Sequence, residues 1–131
     1  MKSFVIVSAE KTTNTPAEND RQTMQLLDFL ERTELEFTKV HGMYQGIRED
    51  SFLVILPDNE NHARDHAIGL LWDEAERLKQ ESILLVQSDG RARLIFADES
   101  QYLGMWHNVS EVEAKAHGAY TQIGELFYVA K

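Results

Sequence analysis

No cysteine occurs among the 131 residues. That excludes disulfides, thiol catalysis and cysteine-ligated zinc for this chain together. Long apolar runs are missing too, and none approaches the ~20 residues that a membrane helix needs. The run nearest the start, Phe4-Val5-Ile6-Val7, is short enough to read as a strand rather than the core of a signal peptide. Basic residues are scarce, 13 Lys and Arg against 22 Asp and Glu, for a net charge of −9. A field of that sign opposes nucleic acid, which is bound by neutralising phosphates, and favours cationic small molecules or basic protein surfaces. It also serves simply to keep a protein soluble, so charge alone selects no function. No phosphate-cradling glycine loop, nucleophile elbow or Ser-His-Asp order is present. These absences predict a cytoplasmic chain with neither a membrane nor a nucleic-acid partner.

What remains is an ordinary globular composition, 43% hydrophobic and 27% charged, of a length that supports one domain across residues 1–131. Phe4 to Val7 reads as a buried strand. Ala9 to Asn19 is polar and aperiodic, a loop, with Asn19 or Asp20 able to cap a helix carrying Met24, Leu26, Leu27, Phe29 and Leu30. Phe37 to Val40 alternates weakly. Gly42-Met43-Tyr44-Gln45-Gly46 reads as a glycine-bracketed turn, followed by the strongly β-patterned Ser51 to Leu56, which Pro57-Asp58-Asn59 ends. Ala63, Ala67, Leu70, Leu71, Ala75 and Leu78 recur at helical spacing to about Lys79. Ser82 to Val86 and Arg91 to Phe96 flank Ser88-Asp89-Gly90, a hairpin signal. Tyr102 to Trp106 and Leu126 to Val129 read as strands around the polar stretch Asn108 to His117. The order βαββαββ with extra C-terminal strands predicts an α+β, ferredoxin-like two-layer sandwich. Its exposed sheet edges would favour oligomerisation.

The segment from Gly42 to Ser51 carries the most chemistry. Two glycines around a phenol allow close approach of a ligand, and Arg48, Glu49 and Asp50 place three charges before a buried strand. An ordinary surface connection with solvated acids is the simpler account of the same pattern. His62 and His66 share a helix face beside Asp65, but Ala63 stands where a zinc-protease helix needs glutamate, so a solvated polar face fits better. No metal site is expected. His41, His107 and His117 have no partner at recognisable spacing. Trp72 and Trp106 fit core or interface better than stacking platforms.

The order of landmarks resembles the bacteriophage S-adenosylmethionine lyases. They are the opening strand Val5 to Ala9, the Gly42-Met43-Tyr44 turn, the acidic residues before Ser51, and the second helix running into Glu81 to Val86. Ala92 to Ala97, Gly118 to Thr121 and Phe127 to Val129 complete the set. The first part of the pattern is also similar to a family of small uncharacterised bacterial proteins, whereas the stretch from Gln101 onward favours the lyases. The resemblance implies a ferredoxin-like homotrimer with active sites between subunits. It further implies cleavage of S-adenosylmethionine to 5′-methylthioadenosine and L-homoserine lactone without a cofactor, depleting the host's S-adenosylmethionine against restriction. Tyr44 would correspond to the essential tyrosine and Glu49 to the essential glutamate, with the adjacent Asp50 as the alternative. This loop is shorter than in relatives that carry two adjacent glutamates. Ser8, at the end of the first strand, is a further substrate-binding candidate beside Asp50. Two other readings are a trimeric ligand-sensing module and an acidic mimic of DNA. The second predicts regularly spaced carboxylates, whereas here acids cluster among basic residues.

Overall fold

The computed structural model describes residues 1–44, 46–57 and 61–131, the last span without the side chain of residue 61. Among them the chain runs β1 (Phe4–Ser8), α1 (Pro16–Thr33), β2 (Phe37–Tyr44), β3 (Ile47–Ile55), α2 (Asn61–Arg77), β4 (Ile83–Val86) and β5 (Arg91–Ile95). It continues through β6 (Ser100–Val109), α3 (Glu111–His117), β7 (Ala119–Ile123) and β8 (Leu126–Ala130). Every strand pairing is antiparallel, and the eight strands close in the order β1-β3-β2-β7-β8-β6-β5-β4.

This closed barrel corrects the expected ferredoxin-like two-layer sandwich, and the reason is visible in the pairing. β4-β1-β3-β2 is the strand order that a split βαβ pattern produces. The added strands do not trail off its edge. β5 extends from β4, β7 pairs with β2, and β6 and β8 join the two sides. A register shift between Ala92 and Arg93 against β6, with Gly104 at φ 111°, supplies the local bend that closure requires.

Alternation along the strands sorts the apolar residues into two cores. Val5 and Val7 of β1 with Phe52 and Val54 of β3 face outward, where Leu26 and Leu30 of α1 and Leu71 and Ala75 of α2 cover them. Phe4, Val40, Leu53, Val86 and Ala92 point into the barrel, with Ile6, Leu84, Leu103 and Trp106 packed against them. Trp72 packs against the helix-backed core and Trp106 against the barrel interior.

Local boundaries differ from expectation for identifiable reasons. α1 starts at Pro16, because Thr15 forms a capping box with Glu18. Asn19 is therefore no cap. It lies inside the helix, and its side chain accepts from the Lys11 N–H and donates to the Lys11 carbonyl, tying down the preceding loop. α2 ends at Arg77, short of Lys79, which has φ 63°. The stretch read as polar linker holds the end of β6 and the short helix α3, capped by Ser110 and ended by Gly118 at φ 87°. β7, directly after it, had no expected counterpart. The hairpin between β4 and β5 lies around Asp89-Gly90 as predicted. Of the expected strand stop at Pro57-Asp58-Asn59, residues 58 and 59 lie outside the described residues, as does Gln45 of the expected turn.

Candidate active site

Gly42, Met43 and Tyr44 are the last residues of β2, and Arg48, Glu49 and Asp50 lie within β3. The two strands pair continuously, from Phe37 opposite Val54 to Tyr44 opposite Ile47. The charged triplet expected on a loop is therefore held on a ladder, and the pleat dictates where each member points. Glu49, Ser51 and Leu53 share the inner face of β3, as Tyr44, Gly42 and Val40 do on β2. Asp50 is on the outer face.

That alternation separates the two acids. Asp50 lies among basic side chains outside the barrel, 2.7 Å from His41 Nδ1, 3.3 Å from Lys39 Nζ and 3.8 Å from Arg48 Nε. Partial burial alone would raise its carboxyl, but hydrogen bonds from His41 and Lys39, with their charges, outweigh burial and hold it below its ordinary value. Among the described residues, no cation pairs with Glu49. Burial pushes its carboxyl up; the Ser8 hydroxyl beside it opposes the rise, and the charge of Glu10 adds to it.

Two adjoining cavities meet at Glu49. One, of about 580 Å³, runs past Ser8 toward the loop after β1 and the end of α2. The other, of about 570 Å³, enters the barrel between Leu94, Leu103, Trp106 and Tyr128. Both are lined by Thr12, Tyr44, Glu49, Ser51, Leu84 and Leu94. They form one two-lobed opening within the size range of ligand sites. The structure thus brings Ser8, Tyr44 and Glu49 together, while Asp50 does not line either lobe. Tyr44 is 63% exposed and Ile47 51%, so the phenol stands on the rim. Inside the barrel lobe, Trp106 stacks on Tyr128 with ring centroids 5.5 Å apart and planes 8° from parallel.

Residues 5–131 match the model of the S-Adenosylmethionine lyase family. The chain belongs to that family. No curated protein matches it. For a lyase acting on a sulfonium compound, a part-buried carboxylate lining a cavity is the feature of interest. It can meet a cation, and its partial burial strengthens that meeting.

His41 partners Asp50, and the His117 Nδ1 is 3.0 Å from the Ala119 carbonyl. His62 and His66 are exposed on α2. Among the described residues no group of three or more acidic or histidine side chains is placed to hold a metal.

Ser51 closes the expected Gly42 to Ser51 segment, whereas Thr12, Leu84 and Leu94 were not anticipated at the site. The last two had a readable signal. The Asp89-Gly90 hairpin sets Leu84 opposite Leu94, so recognising one as lumen-facing fixes the other. Ser51 follows from Glu49 by the period of two.

Proposed function

We propose that this protein converts S-adenosylmethionine into 5′-methylthioadenosine and L-homoserine lactone at the two-lobed opening. The substrate's carboxylate oxygen attacks its own γ-carbon. The carbon–sulfur bond breaks with its electron pair going to sulfur, and the sulfonium leaves as a neutral thioether. No proton moves, so the protein's task is to hold the methionyl arm folded. Orientation of an intramolecular attack can supply about 7–11 kcal/mol.

The observation that carries the reading is Glu49, a half-buried carboxylate raised by burial and facing the cavity of a chain in the lyase family. A carboxylate against the sulfonium would stabilise the substrate more than a transition state losing that charge. Glu49 therefore grips the α-ammonium, leaving the substrate carboxylate free to attack. Asp50, already paired with Lys39 and His41, is the poorer candidate. Tyr44 packs against or hydrogen-bonds the folded arm, and Ser8, whose hydroxyl donates to the Asp50 carbonyl, steadies the backbone from which Glu49 projects. The adenosyl group takes the barrel lobe, where Trp106 and Tyr128 offer aromatic surface. The exposed rim at Tyr44 and Ile47 suits a neighbouring subunit, in keeping with the homotrimer that the resemblance implies. Turnover of this kind would deplete a host cell's S-adenosylmethionine.

The test is product analysis by proton NMR and mass spectrometry after incubation with S-adenosylmethionine. Methylthioadenosine with homoserine lactone is expected. Homoserine appearing first would mean that water is the nucleophile, and intact substrate would leave a ligand-sensing module in its place. Because Glu49 must be ionised to hold an ammonium, kcat/KM should fall as pH drops through its carboxyl value, raised above the ordinary glutamate value by burial. An acid limb below that ordinary value would speak against Glu49. Titration of a Trp72→Phe variant with 5′-methylthioadenosine should change the emission of Trp106, and unaltered emission at saturation would remove the adenosyl group from the barrel lobe.

A further inference from the structure

The ladder between β1 and β3 ends with Ser8 opposite Ser51. Beyond it, side chains of the β1 end take over both polar groups of the next β3 residue. Ser8 Oγ donates to the Asp50 carbonyl at 3.0 Å, and Glu10 Oε1 accepts from the Asp50 N–H at 2.5 Å. The two clamps are linked, because the Glu10 N–H donates to Ser8 Oγ at 3.0 Å. Glu10 is itself tied from the turn after α2, where Gln80 Nε2 donates to its carbonyl at 3.1 Å. The Asp50 N–H belongs to the peptide that joins Glu49 to Asp50. Fixing that peptide fixes the backbone from which Glu49 enters the cavity.

The geometry points to Glu10 as a positioning residue for Glu49: its carboxylate replaces a missing ladder partner and places a second negative charge behind the first. This rests on the reading of Glu49 as the residue that grips the substrate's ammonium. A part-buried acceptor of one backbone N–H needs no charge, since an amide oxygen would serve. The charge has a separate effect, opposing ionisation of Glu49 until a cation arrives. Empty, the site is thereby poised for a substrate with an ammonium and a sulfonium; filled, both carboxylates are offset. The other ionisable groups facing Glu49 across the opening are Lys11, Tyr44, Lys79 and Glu81 in one lobe, and His117, Tyr120 and Tyr128 in the other.

The experiment compares wild type, Glu10→Gln and Glu10→Ala by carbon-13 NMR titration of the Glu49 carboxyl and by the pH profile of kcat/KM. The Glu49 midpoint should move to lower pH in both variants, and the acid limb with it. Glu10→Ala, which also removes the acceptor, should lose on the order of tenfold in plateau kcat, and Glu10→Gln clearly less. A Glu49 midpoint unmoved in Glu10→Gln overturns the proposal, as does an equal plateau loss in the two variants. Should Glu10→Ala fail to fold, the Glu10→Gln midpoint decides alone. The titration needs no turnover, so a wild type that cleaves nothing, yet whose Glu49 midpoint responds to Glu10→Gln, rejects the lyase reading and leaves the clamp standing.

Discussion

Glu49→Gln should lower kcat/KM for S-adenosylmethionine by on the order of 10³-fold while leaving the protein folded. Replacing the carboxylate by an amide strips a desolvated cation of its counter-charge, which costs about 3–5 kcal/mol where partners are buried. That range spans a factor of roughly 160 to 5,000. If Glu49 holds the ammonium equally in ground and transition states, the loss appears as weaker binding, and kcat/KM falls with it while kcat is kept. Unchanged affinity with lost turnover would instead give Glu49 a role confined to the transition state, and a loss below tenfold would remove it from the site. Stability should move the opposite way. Burial raises the Glu49 carboxyl in the folded state, so its contribution to stability is present below the ordinary carboxylate range and lost as pH rises through the raised value. At neutral pH wild type bears that penalty and the glutamine variant does not. Its melting temperature should match or exceed that of wild type there, with the advantage gone in acid. Thermal melts across pH read this directly, and a variant much less stable at neutral pH would mean that Glu49 is part of the scaffold.

Gly104→Ala should be among the most damaging single-methyl additions in the chain. Gly104 has φ 111°, and a Cβ there would lie 2.6 Å from the Lys131 oxygen and 2.8 Å from its Cα. Both neighbours are backbone, and they cannot retreat without breaking the reciprocal 2.9 Å hydrogen bonds between Met105 and Lys131. A left-handed conformation and an overpacked contact each carry a cost, together about 3 kcal/mol or more. For a domain of this size that lowers the melting temperature by roughly 10 °C. Gly118 offers the control. It also has positive φ, 87°, but an added Cβ meets nothing within 4 Å, so Gly118→Ala should cost only ~1 kcal/mol. Equal losses in the two variants would show that conformation alone matters at Gly104 and that the Lys131 contact yields freely.

The sequence was informative where a local rule had no competitor. Asp89-Gly90 marked a hairpin because its residues suit a tight turn wherever it sits in a fold. The leucines of α1 marked a covered face because helical spacing does not depend on what covers it. Closure was illegible because it depends on Tyr44 meeting Ala119 and Trp106 meeting Ala130, pairings between distant segments that no local period encodes. Arg48-Glu49-Asp50 was misplaced for a related reason. Three consecutive charges look like a loop until the inner and outer faces of a barrel offer each a separate destination. Tyr44, Glu49 and Ser8 could be named through resemblance, but their convergence on one opening could not. Nor could the division between Glu49 and Asp50, which is a matter of strand parity and of the basic side chains that happen to flank one face.

The place where β2 meets β7 has a kinetic meaning as well. Tyr44 lies opposite Ala119 there, and Gly42 lies between Glu49 on one side and Thr121 on the other. Joining strands so far apart in the chain incurs its entropy before its contacts are made. Until the ribbon shuts, β2 is a bare edge and one wall of the barrel lobe is missing. Helices and hairpins can assemble earlier and give a full far-ultraviolet spectrum to a molecule that does nothing. Regained activity, not regained helicity, is therefore the clock for the last zip of this fold.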